Sequence, residues 1–214
     1  TMTADGIIFD VDGTLWDATE VIAGRWNQLF AGEPDICGLH VTGDDLKKLF
    51  GKMLKEIGAI LFHDCSPARQ AELLEKCYAA EEEVLRLCPP APYEGIEETV
   101  KTLSGKFPLF IVSNCQAGYI ELFLESTKLQ PFFSGHLCPG DTGLPKADNI
   151  RILSERFGLK HGIYVGDTAL DASSAKQAGV PFVFASYGFG QAEHPDYTIR
   201  HPKELLTLFS LSEL

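Results

Sequence analysis

Basic residues are scarce in this chain. Eighteen Lys and Arg stand against 30 Asp and Glu, a net charge of −12 with His neutral. No basic block offsets the excess, which excludes nucleic acid as the main partner. No run reaches the roughly 18 apolar residues of a membrane-spanning helix, so no membrane partner is expected. Thr3-Ala4-Asp5-Gly6 leads straight into a strand pattern with no secretory leader. The cysteines, Cys37, Cys65, Cys77, Cys88, Cys115 and Cys138, are widely scattered and include no C-x-x-C pair. That spacing excludes a disulfide scaffold and fits reduced, mostly buried thiols in a cytoplasmic protein. The six His show no metal spacing. There is no G-x-x-x-x-G-K-[ST] phosphate loop, and Gly188-Phe189-Gly190 lacks the third glycine of a dinucleotide fingerprint and reads as a turn. Repeats and low-complexity tracts are also missing.

What is there is organised around Ile7 to Asp17, IIFDVDGTLWD. Ile7-Ile8-Phe9 suits a fully buried strand. Asp10 and Asp12 follow at its end, where two carboxylates are costly unless something cationic meets them. Strand residues alternate faces, so Asp12 turns toward Asp10 only if the chain leaves β geometry, which Gly13 permits. Taken alone, the stretch also fits a strand with an Asx-type turn. A calcium loop starting at Asp10 would place Leu15 where Gly is needed and Val21 where Glu is needed, so that reading fails.

The 214 residues allow one α/β domain with an insertion or two small domains. After Asp17 the periodicity becomes helical, with helices expected over about 18–30, 42–50, 53–61 and 66–88. Ser66 serves as N-cap and Pro67 as first helical residue of the last of these. Glu81-Glu82-Glu83 on that helix reads as a solvated face. Gly51 breaks the second helix from the third and marks a turn. Pro89-Pro90-Ala91-Pro92 is a linker. Beyond it strands alternate with helices: strands near 108–112, 132–138, 162–165 and 181–185, helices near 97–103, 117–126, 147–157 and 172–178, and a closing helix from Pro202 to Phe209. This alternation predicts a three-layer α/β fold with a Rossmann-like parallel sheet. Residues 1–16 and 90–214 form the sheet domain, and 17–89 form an all-helical insertion. The insertion leaves at the carboxyl end of the first strand, where ligands bind in open α/β sheets, and so is placed to act as a cap.

Three further strand ends carry candidate chemistry. Ser113-Asn114 follows Leu109–Val112, and a hydroxyl with free backbone N–H groups there suits a phosphate oxygen; the same pair also reads as a helix N-cap. Lys146 precedes a helix and is the only basic residue between Lys128 and Arg151. Gly166-Asp167-Thr168-Ala169-Leu170-Asp171 follows another strand. An acidic N-cap accounts for one of its two carboxylates and not for both.

In this order, D-x-D-G-T, Ser-Asn, Lys146 and G-D-x-x-x-D, the chain resembles the haloacid dehalogenase superfamily over nearly its whole length, and in particular its helical-cap phosphatases similar to phosphoglycolate phosphatases. The Lys-Pro-x-Pro context usual in that superfamily is absent around Lys146-Ala147-Asp148-Asn149. The resemblance implies a phosphohydrolase acting on a small phosphorylated metabolite. It implies Asp10 as nucleophile, Asp12 as general acid and base, and Asp10, Asp12 (through its carbonyl), Asp167 and Asp171 around a metal ion. Thr14, Ser113, Asn114 and Lys146 would hold the phosphoryl group, and Gly51 and Lys52 in the cap would meet the leaving group. Carboxylates converging on one site repel each other by roughly 1–4 kcal/mol per close pair, which calls for a divalent cation, and hard oxygen donors select Mg²⁺. A phosphomutase of the β-phosphoglucomutase kind shares these motifs. A phosphonate hydrolase would need a Schiff-base lysine, for which Lys47, Lys48, Lys52 and Lys55 are available. A non-enzymatic binding protein would be expected to have lost a catalytic Asp, and none is lost. Neither the physiological substrate nor the oligomeric state is set by the sequence.

Overall fold

A computed structural model of the chain describes residues 1–211. Six parallel strands form the central sheet in the order β4-β3-β2-β5-β6-β7. They are β2 (Gly6–Phe9), β3 (Leu109–Val112), β4 (Gly135–Leu137), β5 (Gly162–Gly166), β6 (Phe182–Ala185) and β7 (Tyr197–Ile199). Within this sheet the path begins at β2, steps outward through β3 to β4, then returns to the other side of β2 with β5. Strand order therefore reverses beside β2, where an open parallel sheet forms a crevice at its carboxyl edge.

β2, β3, β5 and β6 are buried along their whole length. Alternate residues feed opposite faces, as β geometry requires. Ile8, Phe110 and Tyr164, which are register partners across the three central strands, pack with Ile150 and Leu153 on one face. That face is covered by α8 (Lys146–Arg156) and α9 (Ala169–Ala178). Ile7, Phe9, Leu109, Ile111 and Val165 point the other way, toward α5 (Ile96–Ser104) and α6 (Tyr119–Thr127).

Between β2 and α5 the chain is helical: α1 (Thr19–Ala31), α2 (Gly43–Leu49), α3 (Leu54–Leu61) and α4 (Pro67–Leu87). Thr42 caps α2 through a reciprocal capping box with Asp45, and Ser66 caps α4 ahead of Pro67. Trp26, Phe30 and Phe62 are buried together, with Phe30 and Phe62 edge to face at 5.7 Å. α4 also packs on α6 of the sheet unit. The two connections to this helical unit run side by side. Trp16 forms a bridge with Pro92, and the Tyr93 N–H donates to the Leu15 carbonyl at 3.0 Å.

The C-terminal region differs from expectation. The segment 202–209 is not a closing α-helix: Pro202–Thr207 is a 3-10 turn, and β8 (Phe209–Leu211) pairs in parallel with β1 (Met2–Ala4) as a separate two-stranded sheet. Leu205 and Leu208 are buried all the same, and the 3-10 turn packs against α5. Cys77, Cys115 and Cys138 are buried, Cys37 and Cys88 are exposed, and all six thiols are free. No helix among the described residues is long and apolar enough to cross a membrane.

Phe110→Ala should destabilise the fold by about 3–5 kcal/mol, because the ring is fully buried against Phe157 at 4.6 Å. Urea unfolding should show a lower midpoint with an unchanged slope. A midpoint within error of the parent would mean that this face of the sheet is not close-packed.

Candidate active site

Three strand ends and two helix starts deliver the polar groups to one place. Asp10 follows β2 and its N–H donates to the Val165 carbonyl at 2.9 Å, which fixes the loop against β5. Ser113 follows β3, is buried, and favours the charged form of the Asp10 carboxyl. Asp167 follows β5, and Asp171 lies in the first turn of α9. Lys146 begins α8 with its side chain only 1% exposed. Its ammonium donates to Asp10 Oδ1 at 3.4 Å and to Asp171 Oδ1.

Asp10, Asp167 and Asp171 are buried, and each offers a carboxylate oxygen within 4.8 Å of the others. Burial first, then the charge of Asp171, pushes the Asp10 carboxyl up to about 6 against the pull of Lys146. Asp167 is raised for the same reasons, burial foremost and then Asp171 and Asp10. This all-oxygen donor set is short of positive charge and fits a hard divalent cation such as Mg²⁺. Asp10 and Asp167 would hold it together with the Asp12 carbonyl. Asp171 is already committed: its second oxygen accepts from the backbone N–H groups of Asp167 and Thr168 and from the Thr168 hydroxyl, at 2.9–3.0 Å. It therefore orients Lys146 and the Asp167 loop.

Two glycine contacts make the geometry possible. Gly13 has φ +82°, and a Cβ there would sit 1.9 Å from Asp167 Oδ2. Gly188 lies with its Cα against the Gly13 carbonyl, and the Phe189 N–H donates to Asp167 Oδ2 at 2.9 Å. The turn at 188–190 thus clamps Asp167, and Thr14 Oγ1 holds its other oxygen at 3.0 Å.

Asp12 faces elsewhere. Its Oδ1 accepts from the Tyr119 hydroxyl at 2.6 Å and from Trp16 Nε1 at 3.2 Å, so the carboxyl is held against α6 and is not part of the acid cluster. Burial is the main reason that it is raised to about 7, with Tyr119 opposing. A carboxyl in that range can hold and release a proton near neutrality. Neither Tyr119 nor Trp16 was singled out from the sequence; Trp16 stands four residues after Asp12, and Tyr119 carried no signal.

Asp12 borders a cavity between the helical unit and the sheet, lined also by Trp26, Phe50, Gly51, Tyr78, Glu81 and Asn114. Asn114 Nδ2 donates to the Gly51 carbonyl at 2.9 Å, across the two units. Gly51 has φ +100° in the turn between α2 and α3, as expected. Lys52 does not line this cavity; its ammonium pairs with Glu56 at 3.7 Å. The solvated face expected of Glu81-Glu82-Glu83 needs correction at Glu81. Glu82 and Glu83 are exposed, but Glu81 is only 5% exposed and accepts from Gln116 Nε2 at 3.0 Å. A signal was present in the sequence: Leu74, Cys77, Tyr78, Glu81 and Leu85 share one helical stripe.

A parallel sheet with an acid cluster at its carboxyl edge, roofed by helices, defines a capped protein of the Rossmann-like α/β class. The haloacid dehalogenase-like hydrolase family model matches residues 7–185, and the chain belongs to that family. A phosphoglycolate phosphatase from Shigella sonnei (strain Ss046) is 27% identical over 238 residues, covering 96% of this chain and 92% of the relative. One from Synechococcus elongatus is 29% identical over 213 residues, covering 94% of each. A haloacid dehalogenase-like hydrolase structure from Streptococcus pneumoniae has the same fold, with a TM-score of 0.76 at 21% identity over 96% of this chain and 97% of that one.

Two outcomes follow from this electrostatic arrangement. Lys146→Met removes the one cation from the acid cluster and should cost about 3–5 kcal/mol at pH 8 in urea unfolding, with MgCl₂ restoring part of it. A midpoint that responds neither to the substitution nor to Mg²⁺ would contradict this charge balance. The second concerns Glu81, raised to about 8 by burial and then by Asp12, with Tyr78, Tyr119 and Cys77 as its other titratable neighbours. The folded state holds this proton more tightly than the unfolded state, so stability is lost as pH rises from about 4.5 to about 8. Glu81→Gln should therefore raise the melting temperature relative to the parent more at pH 9 than at pH 5. An equal difference at both pH values would sink the assignment.

Proposed function

We propose that the chain is a Mg²⁺-dependent phosphatase that cleaves a small phosphate monoester through an aspartyl-phosphate on Asp10. The observation that carries this reading is the division of labour between two acids two residues apart. Asp10 lies in the acid cluster beside Lys146 and Ser113, while Asp12 turns its carboxyl to the cavity beneath the helices. The names of the relatives, phosphoglycolate phosphatases, support phosphate ester hydrolysis.

On this reading Asp10 attacks phosphorus, and its carboxylate forms the new P–O bond as the ester bond breaks. Asp12 gives its proton to the leaving alkoxide, then takes one from the water that hydrolyses the aspartyl-phosphate. Lys146, Thr14 and the Ser113 hydroxyl hold the equatorial oxygens, where positioning and electrostatics supply most of the rate. Mg²⁺, when bound at Asp10, Asp167 and the Asp12 carbonyl, neutralises charge on the transferring group. Residues 17–89 act as a cap whose underside selects the alcohol. None of Lys47, Lys48, Lys52 and Lys55 lines the cavity beside Asp12, which favours ester hydrolysis over Schiff-base chemistry on a phosphonate.

Asp10→Asn should fold normally and lower p-nitrophenyl phosphate turnover in MgCl₂ by at least a thousandfold, since loss of a covalent nucleophile costs several orders of magnitude. Residual turnover above that level would point to another nucleophile.

A further inference from the structure

We propose that the leaving alcohol of the substrate carries a primary ammonium group, received by Glu81 in the cavity between the helices and the sheet. The inference rests on the phosphatase reading above and names the substrate class for that site.

The cavity begins at Asp12, the group that would protonate the leaving oxygen, so its occupant is the alcohol portion of the ester. Among the described residues no Lys, Arg or His lines it. A carboxylate such as that of glycolate would find no cationic side chain there, and burial makes an unpaired charge costly. Lys52, the nearest cationic candidate by sequence, is turned to Glu56.

The polar groups on the walls are complementary to an ammonium. Asn114 is 8% exposed, and with its amide nitrogen on Gly51 its Oδ1 is left facing the cavity with no hydrogen-bond partner. The Tyr78 hydroxyl is likewise buried and unpartnered. Glu81 has one recorded hydrogen bond, from Gln116. An arriving ammonium favours the charged form of Glu81, which gives its proton to solvent; carboxylate, amide oxygen and phenol oxygen then make three acceptors for the three donors of a primary ammonium. Trp26 Nε1 is a buried donor that makes no hydrogen bond, so it leaves the second Glu81 oxygen open to a ligand.

The remaining walls agree. Trp26, Phe50, Tyr78 and Tyr119 bring aromatic rings to one small space, and aromatic faces attract cations. Solvent-sized room amounts to about 30 Å³, enough for a few heavy atoms, so the linker between phosphate ester and ammonium is short. The reaction is simple hydrolysis: water and an aminoalkyl phosphate give the amino alcohol and inorganic phosphate, with the ester oxygen taking the Asp12 proton.

The test uses the full chain in MgCl₂ with 2-aminoethyl phosphate, 2-phosphoglycolate, glycerol 1-phosphate and p-nitrophenyl phosphate as substrates. The aminoethyl ester should exceed phosphoglycolate and glycerol phosphate at least tenfold in kcat/KM. Glu81→Gln, which keeps the side-chain shape, should lower the ratio of kcat/KM for the aminoethyl ester to that for p-nitrophenyl phosphate at least tenfold, mainly through KM. Calorimetry with the non-hydrolysable 2-aminoethylphosphonate should show a Kd at least tenfold weaker in that variant. A preference for phosphoglycolate or glycerol phosphate, or an unchanged Kd, overturns the inference and leaves the phosphatase reading standing. Failure of the parent protein to hydrolyse even p-nitrophenyl phosphate overturns both.

Discussion

Three carboxylates share a water-poor pocket with a single ammonium, and the fold is arranged so that they cannot separate. Asp10, Asp167 and Asp171 are each fixed by backbone contacts, and Lys146 reaches two of them from the first residue of α8. Left to themselves such groups would protonate or swing toward solvent. Parallel strand ends, short loops and two glycines without Cβ atoms prevent that. The cluster keeps an excess of negative charge, and a metal ion is the natural complement.

The helical unit adds a different kind of constraint. Its contact with the site is polar at two points, Asn114 to Gly51 and Gln116 to Glu81, and otherwise mainly apolar and aromatic. Asp12 sits where the two environments meet. Its hydrogen bonds to Tyr119 and Trp16 hold it away from Asp10, so the two acids of one short motif differ in surroundings and in chemistry. Proximity in sequence did not make them equivalent.

Most of the sheet was legible because buried parallel strands are continuous apolar runs: Ile7–Phe9, Leu109–Val112 and Ile163–Val165 leave little else to read. The acids and Lys146 were found because they follow those runs in a recognisable order, and the structure brings them together. The three-residue strands β1, β7 and β8 were missed, since so short a segment shows no period. The region from Pro202 was misread because a 3-10 turn and a three-residue strand share a stretch long enough for one short helix. Glu81 was misread for another reason: a glutamate on a helix is buried only if another element covers it, and the covering side chains of Gln116 and Tyr119 are far along the chain. Its place on the stripe of Leu74, Cys77 and Leu85 was the available clue.

The chain leaves the sheet unit at Trp16 and returns at Pro92, and those two residues are bridge partners. The excursion between them therefore spans no gap. Its length is nearly free, because loop closure grows only slowly more costly with added residues and both ends are pinned whatever lies between. The register of β2 against β3 and β5 is set outside that detour. Chemistry and selectivity are in this sense separately heritable. A lineage could rewrite everything from 17 to 91, reshape the cavity beneath the helices, and leave the acid cluster where it stands.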